Sequence, residues 1–386
     1  MTPGARVAAA IDVLDAIVEG ATAEQALSRW ARGSRYAGSK DRAAVRDYVF
    51  DVLRHWRSDA LRGGGEKGRA RMIGRLRAQG ADLEVLFDGA GYGAAPLSED
   101  ELSVGAAPQD LGSRWDMPDW LIPLLQHSLG DDAERTALAL TDRAPVTLRV
   151  NAARTTAEAA IDALAKAGVI ASTNARAATA LTVTEGARRI RNSVPYQTGL
   201  VELQDAASQA AVAGLCGTGR ALDFCAGGGG KALALAAAGW DVTAHDIAPD
   251  RMQDLPARAA RGGHEITMFA PDDLASAGQF DLVFCDAPCS GSGTWRRTPE
   301  AKWSLTAERL ADLCDTQASV LEAALPFVVS GGSLVYATCS ILEEENAAQI
   351  AHFLNAHRDW RQSAAHTWPV DAAGDGFFCA HLTQRA

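Results

Sequence analysis

Apolar residues recur at intervals of three and four over two stretches near the start of the chain, which is the spacing of one face of an α-helix. The two stripes are Val7, Ile11, Leu14 and Val18, and Val45, Val49, Val52 and Trp56. Residues 1–90 are therefore predicted to form an all-α domain. The next stretch is rich in glycine, alanine, proline and acidic residues, so residues 91–115 are predicted to be a linker.

A mixed pattern follows the predicted linker. A helix-like run, "PDWLIPLLQHSLG", starts at Pro118, a strand-like run covers residues 146–151, and a second helix-like run covers residues 156–168. Residues 116–204 are therefore predicted to be a small α+β module.

Strand and helix signals alternate strictly over residues 205–386. The strand-like runs are "ALDFC", "DVTAHDI", "ITMFA", "FDLVFCDAP" and "SLVYATC", each followed by helix-like or turn-rich text. Such alternation predicts an α/β domain with a mostly parallel, doubly wound sheet. In sheets of this kind ligands gather at the carboxyl ends of the strands.

The charge of the chain is unevenly distributed. The formal net charge is -11, yet residues 1–80 carry 15 Lys+Arg and 9 Asp+Glu, a local charge of +6. A basic region of this kind is a candidate polyanion-binding surface, although a solvated helix face explains the charge equally well.

Several classes of protein are disfavoured. We expect no membrane helix, because no stretch approaches the roughly 20 apolar residues needed, and no secretory signal, because acidic residues interrupt the first 20 positions. The seven cysteines, an odd number, argue against a disulfide framework, and none has the spacing of a zinc site. The expected compartment is the cytoplasm, and no metal is expected.

A glycine-rich turn joins the first strand of the α/β domain to a helix. Its candidate cofactor-binding residues are Cys225, Ala226, Gly227, Gly228, Gly229, Gly230 and Lys231. Glycines at such a junction let a ligand approach the backbone, and the helix start offers unpaired amides. The turn does not match a phosphate-binding P-loop, but it retains a loose dinucleotide pattern that leaves an NAD enzyme open.

Two acidic positions are candidates for holding an adenosine-containing cofactor. Asp246 ends the second strand, where a carboxylate can accept ribose hydroxyls, and its alternative role is a helix cap. Asp272 follows the third strand and is a candidate for the adenine edge. Asp273 is an equal candidate, and capping the next helix is nearly as good an interpretation for either residue.

Two cysteines follow strands that should be buried. Cys289 lies in "DAPCSGSGTW" and Cys339 in "YATCS", and turn formers or small polar residues flank both. This setting is typical of accessible thiolates, so both are predicted to open onto one pocket. The other cysteines are interpreted as small buried apolar residues; they are Cys216, Cys225, Cys285, Cys314 and Cys379.

These motifs resemble those of the RNA 5-methylcytosine methyltransferases of the RsmB and NOP2/Sun group. "DFCAGGGGK" resembles the family's cofactor loop, "DAPCSGSGTWRRTPE" its fourth motif, "YATCSILEEEN" its sixth, and "GDGFFCAHL" its closing hairpin. Residues 116–204 resemble its small RNA-binding module, and residues 1–90 resemble the NusB-like domain of the bacterial RsmB branch. Gly227 and Gly228 replace the family's Ala-Pro. Glycines can adopt the conformation of the loop but make it less rigid.

The resemblance implies a fold and an activity. Residues 205–386 would form a Rossmann-like class I catalytic domain that uses S-adenosylmethionine to methylate cytosine carbon 5. Cys339 would add to carbon 6, Asp286 would bind the N3 and amine edge, Lys231 would assist, and Cys289 would take part in releasing the product.

The resemblance also implies the partner. The substrate would be unpaired or splayed RNA, with 16S small-subunit ribosomal RNA or an assembly intermediate as the first choice, and the chain would act as a monomer. Arg296, Arg297, Arg188, Arg189 and Arg191 are candidate phosphate contacts, and surface charge is the alternative interpretation for each.

Other functions stay open at this stage. DNA cytosine methyltransferases would place the nucleophile at Cys289 instead of Cys339. The chain could act on tRNA or another RNA, it could be a non-catalytic ribosome-assembly factor that only binds RNA, or it could be an NAD oxidoreductase. The target nucleotide is beyond the sequence.

Overall fold

The computed structural model describes residues 1–103, 105–215 and 217–385. These residues form two compact units. Unit 1 comprises residues 1–126, 130–142 and 295–304, and unit 2 comprises residues 127–129, 143–294 and 305–386. The four-part division of the sequence into residues 1–90, 91–115, 116–204 and 205–386 stays a prediction.

Unit 1 is built from helices. They are α1 Pro3–Val18, α2 Ala23–Gly33, α3 Ser39–Arg54, α4 Trp56–Gly63, α5 Gly68–Ala78, α6 Leu83–Leu86, α7 Glu99–Leu102, α8 Leu111–Arg114, α9 Leu121–Leu129 (its last turn counted in unit 2) and α10 Ala133–Ala139. The unit also contains a further short helix over Glu300–Ser304. Helix α1 begins with Thr2 as its N-cap, whose side chain accepts a hydrogen bond from Ala5 N, and with Pro3 in its first turn, where proline has no amide hydrogen to leave unpaired.

The predicted apolar stripes supply part of the unit 1 core. Val7, Leu14 and Val45 are fully buried there, as are Val49 and Val52. The last residue of each stripe departs from the predicted pattern. Val18 is 44% exposed at the end of α1, and Trp56 starts α4 instead of continuing α3, because the chain turns at His55.

Unit 2 contains a small antiparallel sheet. Its strands are β1 Val146–Val150, β2 Ile170–Thr173, β3 Ala180–Glu185 and β4 Val201–Leu203, in the order β2-β3-β1-β4. Helices α11 Ala157–Lys166 and α12 Val194–Gln197 accompany it. Helix α11 starts directly after Thr156, whose side chain caps it, as the sequence pattern predicts.

The larger sheet of unit 2 is mostly parallel. Its strands are β5 Arg220–Asp223, β6 Asp241–His245, β7 Ile266–Phe269, β8 Phe280–Asp286, β9 Val328–Thr338, β10 Trp360–Trp368 and β11 Phe377–Gln384. The strand order is β10-β11-β9-β8-β5-β6-β7, and only the pairs that involve β11 are antiparallel. The predicted α/β, Rossmann-like fold class, with a helical region before it, is therefore confirmed.

Helices cover the larger sheet and complete its two apolar layers. They are α13 Ala206–Ala213, α14 Gly230–Ala237, α15 Leu255–Gly262, α17 Ala307–Ala324 and α18 Ala347–Ala356, with α16 being the Glu300–Ser304 helix of unit 1. Helix α18 begins some residues after the second cysteine motif, at Ala347. A 3₁₀ turn occupies Glu343–Glu345, and the backbone of Asn346 leaves the helical region.

The order of the strands indicates where a ligand would bind. The chain reverses direction across the sheet at β5, which lies between β6 and β8, and a crevice at the carboxyl ends forms at such a point. The glycine-rich turn follows β5, and the two cysteine motifs follow β8 and β9. Within the described part of the chain, no helix is both long and apolar enough to cross a bilayer.

Candidate active site

The strand register brings the predicted reactive residues to one edge of the sheet. Asp223 pairs with Phe284 in β8, and Asp286 pairs with Ala337 in β9. Cys289 and Cys339 follow these strands by a few residues. Parallel pairing therefore gathers side chains that lie more than 100 positions apart in the sequence.

The two cysteines predicted to share a pocket are in contact. Their sulfur atoms lie 3.4 Å apart, and both side chains are half-buried. The pKa of the Cys289 thiol is raised well above its usual value, first by its hydrogen bond with Cys339 and second by burial. Both causes favour the protonated form of Cys289.

Lys231 forms an ion pair at the same edge. Its Nζ lies 2.5 Å from Oδ2 of Asp286. Burial lowers the pKa of Lys231, but the carboxylates of Asp286 and Asp223 and the sulfur of Cys339 outweigh it, so the pKa is raised. Lys231 therefore keeps its positive charge at this edge of the sheet.

A buried carboxylate links the two cysteine loops. Glu345 is fully buried and accepts hydrogen bonds from Ser290 N at 2.7 Å, Ser290 Oγ at 2.5 Å and Ser340 Oγ at 2.5 Å. Gln317 Nε2 on α17 donates to it as well, at 3.0 Å. Ser290 follows Cys289 and Ser340 follows Cys339, so one carboxylate fixes both loops. The local pattern around Cys339 does not distinguish this residue, although three consecutive glutamates two residues after "YATCS" are a visible signal.

A second set of hydrogen bonds joins the same loops. Ser292 Oγ lies 2.9 Å from Ser340 Oγ and accepts a hydrogen bond from Ile341 N at 2.9 Å. Gly293 N donates to the carbonyl oxygen of Cys339, also at 2.9 Å. The distance between the two sulfurs is therefore set by several contacts.

The glycine-rich turn requires glycine at two positions. Gly227 and Gly229 have φ values of +50° and +80°, in the left-handed region that side chains with a Cβ disfavour. A Cβ on Gly229 would also lie 2.2 Å from the side chain of Leu255. Gly229 caps α14, whose first residue is Gly230, so the turn presents the start of that helix.

Asp246 forms hydrogen bonds with the glycine-rich turn and with the residues that follow β6. It is almost completely buried, and its Oδ2 accepts a hydrogen bond from Gly227 N at 2.8 Å while Oδ1 accepts one from Ala248 N at 2.9 Å. Arg251 pairs with it at 3.1 Å. Asp272 and Asp273 both lie exposed in a 3₁₀ turn after β7. Their roles toward a cofactor stay predictions.

Two protein-family models and several known proteins match this chain. The model of the 16S rRNA methyltransferase RsmB/F family matches residues 217–383, and that of the RsmF/B-like ferredoxin-like domain matches residues 117–188. Ribosomal RNA small subunit methyltransferase B of Serratia proteamaculans is 32% identical over 303 residues, which cover 74% of this chain and 70% of that protein. The enzyme of the same name from Proteus mirabilis is 31% identical and covers 72% and 68% of the two chains.

The chain belongs to the RsmB/F methyltransferase family. The expected resemblance is thereby confirmed, and so are RNA methylation as the class of activity and S-adenosylmethionine as the methyl donor.

Solved structures share the fold. The crystal structure of PH0851 aligns with a TM-score of 0.77 at 23% identity, covering 100% of this chain and 99% of that chain. The structure of NSun6 from Pyrococcus horikoshii with SFG aligns with a TM-score of 0.61 at 16% identity, covering 69% and 98%. At these identities the likeness concerns the fold alone.

The residues of this RsmB/F family member fit its cationic methyl donor. Asp223 is fully buried beneath the turn, and neither of its carboxylate oxygens has a hydrogen-bond partner within the described residues. Burial, followed by the nearby charge of Asp286, raises the pKa of Asp223 to about 7. Together with Asp246 and Asp286, it makes this edge rich in carboxylates, as a ligand that carries sulfonium and ammonium charges requires.

Not every interpretation of the cysteines and arginines holds in this family member. Cys285 and Cys379 are buried as expected, whereas Cys225 and Cys314 are half-buried, and Cys216 lies outside the described residues. The side chain of Arg296 is buried, so its suggested contact with phosphate is wrong for this structure; its carbonyl oxygen accepts a hydrogen bond from Arg54. Arg297, Arg188, Arg189 and Arg191 are exposed.

Proposed function

We propose that this protein methylates carbon 5 of a cytosine in RNA through a covalent bond between Cys339 and carbon 6 of the base. The observation that supports this proposal is the 3.4 Å contact between the sulfurs of Cys289 and Cys339, beside the ion pair of Lys231 and Asp286. A single nucleophile does not need a second thiol at contact distance. A thiol at this distance can take part in a separate step, the release of the base.

Carbon 5 of cytosine is too weak a nucleophile to take a methyl group unaided. The thiolate of Cys339 adds to carbon 6, and the π electrons of the ring move to carbon 5. Asp286 binds the N3 and amine edge and stabilises the ring while the sulfur adds. S-adenosylmethionine supplies the methyl group that carbon 5 receives.

Release reverses the addition. The proton on carbon 5 leaves to a base in a step that involves Cys289, and its electron pair restores the double bond between carbons 5 and 6. The bond between sulfur and carbon 6 breaks, and its electron pair returns to Cys339. The ammonium of Lys231 stays paired with Asp286 at this edge of the sheet during both addition and release.

We propose small-subunit ribosomal RNA as the substrate, because the relatives that match most of the chain carry that name. The base must be unstacked for a sulfur to reach the face of its ring, so an unpaired or splayed nucleotide is expected. Bisulfite mapping of 16S ribosomal RNA from cells with and without the gene tests this choice and identifies the nucleotide. A site that appears in tRNA instead would move the proposal to that RNA.

Single substitutions of the two cysteines test the mechanism. We expect Cys289→Ala to accumulate a covalent protein–RNA adduct in the presence of S-adenosylmethionine, since addition proceeds and release is blocked. We expect Cys339→Ala to form no adduct and to lose methylation by at least about 10³-fold. Denaturing gels with labelled RNA measure the adduct, and Cys285→Ala serves as the control outside the pair. Adduct formation by Cys339→Ala would assign the nucleophile to Cys289.

A further inference from the structure

Unit 1 contains a cleft that the proposed chemistry does not use. It has a volume of about 720 Å³, within the range of about 300–1,000 Å³ that is typical of ligand sites. Helices α2 and α3 and residues 297–304 line it. All of these residues belong to unit 1.

The cleft combines an apolar floor with a basic rim. Trp30, Leu27 and Phe50 provide half-buried apolar surface, while Arg42, Arg46 and Arg297 are exposed at the rim. An adjoining depression of about 620 Å³ adds the exposed residues Arg29 and Arg32. Glu24 lines both surfaces, and Glu300 lines the cleft. The Glu300 carboxylate caps α2 by accepting hydrogen bonds from Ala23 N.

Two of the arginines have charge available for a ligand. Arg42 and Arg46 lie one turn apart on α3. Within the part of the chain that the structure describes, neither forms an ion pair: Arg42 donates to the carbonyl oxygen of Ala37, and the guanidinium of Arg46 lies 5.1 Å from the ring centre of Phe50. An arginine resting on an aromatic ring presents a flat cation on which a further planar group can stack.

We propose that this cleft binds an unpaired stretch of RNA, with phosphates at Arg42 and Arg46 and a base on the Phe50 and Trp30 side of the floor. Arginines interleaved with aromatic side chains are the means by which proteins hold single-stranded nucleic acid, since rings stack on bases and guanidinium groups pair with phosphates. The inference rests on the proposed function, because it gives the RNA substrate a point of attachment on unit 1 in addition to the reacting base on unit 2.

The double variant Arg42→Gln, Arg46→Gln tests the phosphate contacts. The full-length protein is titrated into fluorescein-labelled oligouridylate, and anisotropy gives the dissociation constant at several salt concentrations. We expect affinity to fall about tenfold at low salt. Each phosphate contact to a single strand adds about 0.7 to the salt slope, so the difference from wild type should narrow about sevenfold between 50 and 200 mM salt.

A double variant of two exposed arginines outside the cleft, Arg35→Gln with Arg135→Gln, is the matched control. It changes the total charge equally and should bind oligouridylate with an unchanged salt slope. The variant Phe50→Leu tests the base contact: we expect at least about a fivefold loss of affinity with the salt slope retained, because no charge is removed. Thermal melting of each variant checks that the helices of unit 1 remain folded.

The outcomes separate this inference from the proposed function. Oligouridylate contains no cytosine, so its binding does not depend on methyl transfer. If the Arg42→Gln, Arg46→Gln protein binds oligouridylate like wild type, the assignment of the cleft to RNA is overturned. If its affinity for polyglutamate falls instead, the cleft is assigned to an acidic protein partner. Wild type that binds through the cleft but forms no 5-methylcytosine would refute the proposed function and leave the cleft assignment standing.

Discussion

At the scale of single residues, the site depends on which groups hold protons. Cys289 retains its proton, Lys231 retains its charge, and Asp223 is buried without a hydrogen-bond partner within the described residues. Each state follows from neighbours that the fold supplies. Sequence alone identified the cysteines and the lysine as reactive types, but it could not assign their protonation.

Contact between the two sulfurs makes the pair sensitive to oxidation. We expect oxidised glutathione to take two electrons from the pair and form a Cys289–Cys339 disulfide, because the sulfurs need to move by little more than 1 Å to bond. Methylation should fall as the disulfide forms and return with dithiothreitol. Peptide mass mapping measures the bond, and Cys289→Ser is the control. Oxidation that joins either cysteine to a different partner would contradict the 3.4 Å contact.

Asp223 should make the stability of unit 2 depend on pH. Because its pKa is raised to about 7, the folded protein disfavours the ionised form, and its contribution to stability is present at low pH and lost as pH rises through 7. We expect Asp223→Asn to remove a decrease of about 2 kcal/mol in the free energy of unfolding between pH 5 and pH 8. Denaturant titrations at the two pH values measure it.

The comparison is made between wild type and variant, so other titrating groups cancel. Buried Asp59 in unit 1, whose pKa is raised to about 8, changes the free energy of unfolding of both proteins in the same direction. An identical dependence on pH in wild type and in Asp223→Asn would show that Asp223 is already ionised, with a partner such as Lys231, at pH 5.

At the scale of elements, the two reactive sulfurs lie in loops just beyond the strands. Strands β8 and β9 end at Asp286 and Thr338, and the cysteines lie beyond them. Glu345 spans the gap, since its carboxylate accepts hydrogen bonds from both loops. The 3₁₀ turn over Glu343–Glu345 directs this residue inward while Glu343 stays exposed.

Glu345 should therefore act as a positioning residue. We expect Glu345→Gln to lose at least one charge-assisted hydrogen bond and to destabilise unit 2 by about 2–3 kcal/mol. We also expect slower disulfide formation between Cys289 and Cys339, and a lower yield of adduct when combined with Cys289→Ala. Glu343→Gln, which removes the same charge from an exposed position, is the matched control. Loss of stability with unchanged disulfide and adduct rates would reduce Glu345 to a purely structural role.

At the scale of the whole molecule, charge separates the two ends of the sequence. The first 80 residues carry a net charge of +6, while the rest of the chain carries -17. The proposed cleft draws on arginines of the basic stretch, and the methyl-donor edge draws on carboxylates of the acidic one. The net charge of -11 therefore conceals a basic stretch on which the proposed cleft depends.

The chain is also divided differently in space and in sequence. Residues 295–304, which begin six positions after Cys289, belong to unit 1 and not to unit 2. Within unit 1, Lys302 is fully buried and donates to the carbonyl oxygen of Arg54, and Trp303 donates to that of Leu53. Nothing in the local pattern of "RRTPEAKWS" indicates this. The same packing buries Arg296 and removes it from the exposed arginines.

The sequence by itself determined the class of the fold, the position of the glycine-rich turn and the identity of the two cysteines. Hydrophobic periodicity and motif spacing are local properties, so they can be read along the chain. Only the tertiary structure decided that the two sulfurs touch, that Glu345 joins their loops, that Asp223 is buried without a partner within the described residues, and that Arg296 is buried. Those facts depend on strand register and on packing between residues far apart in the chain, and local patterns do not encode them.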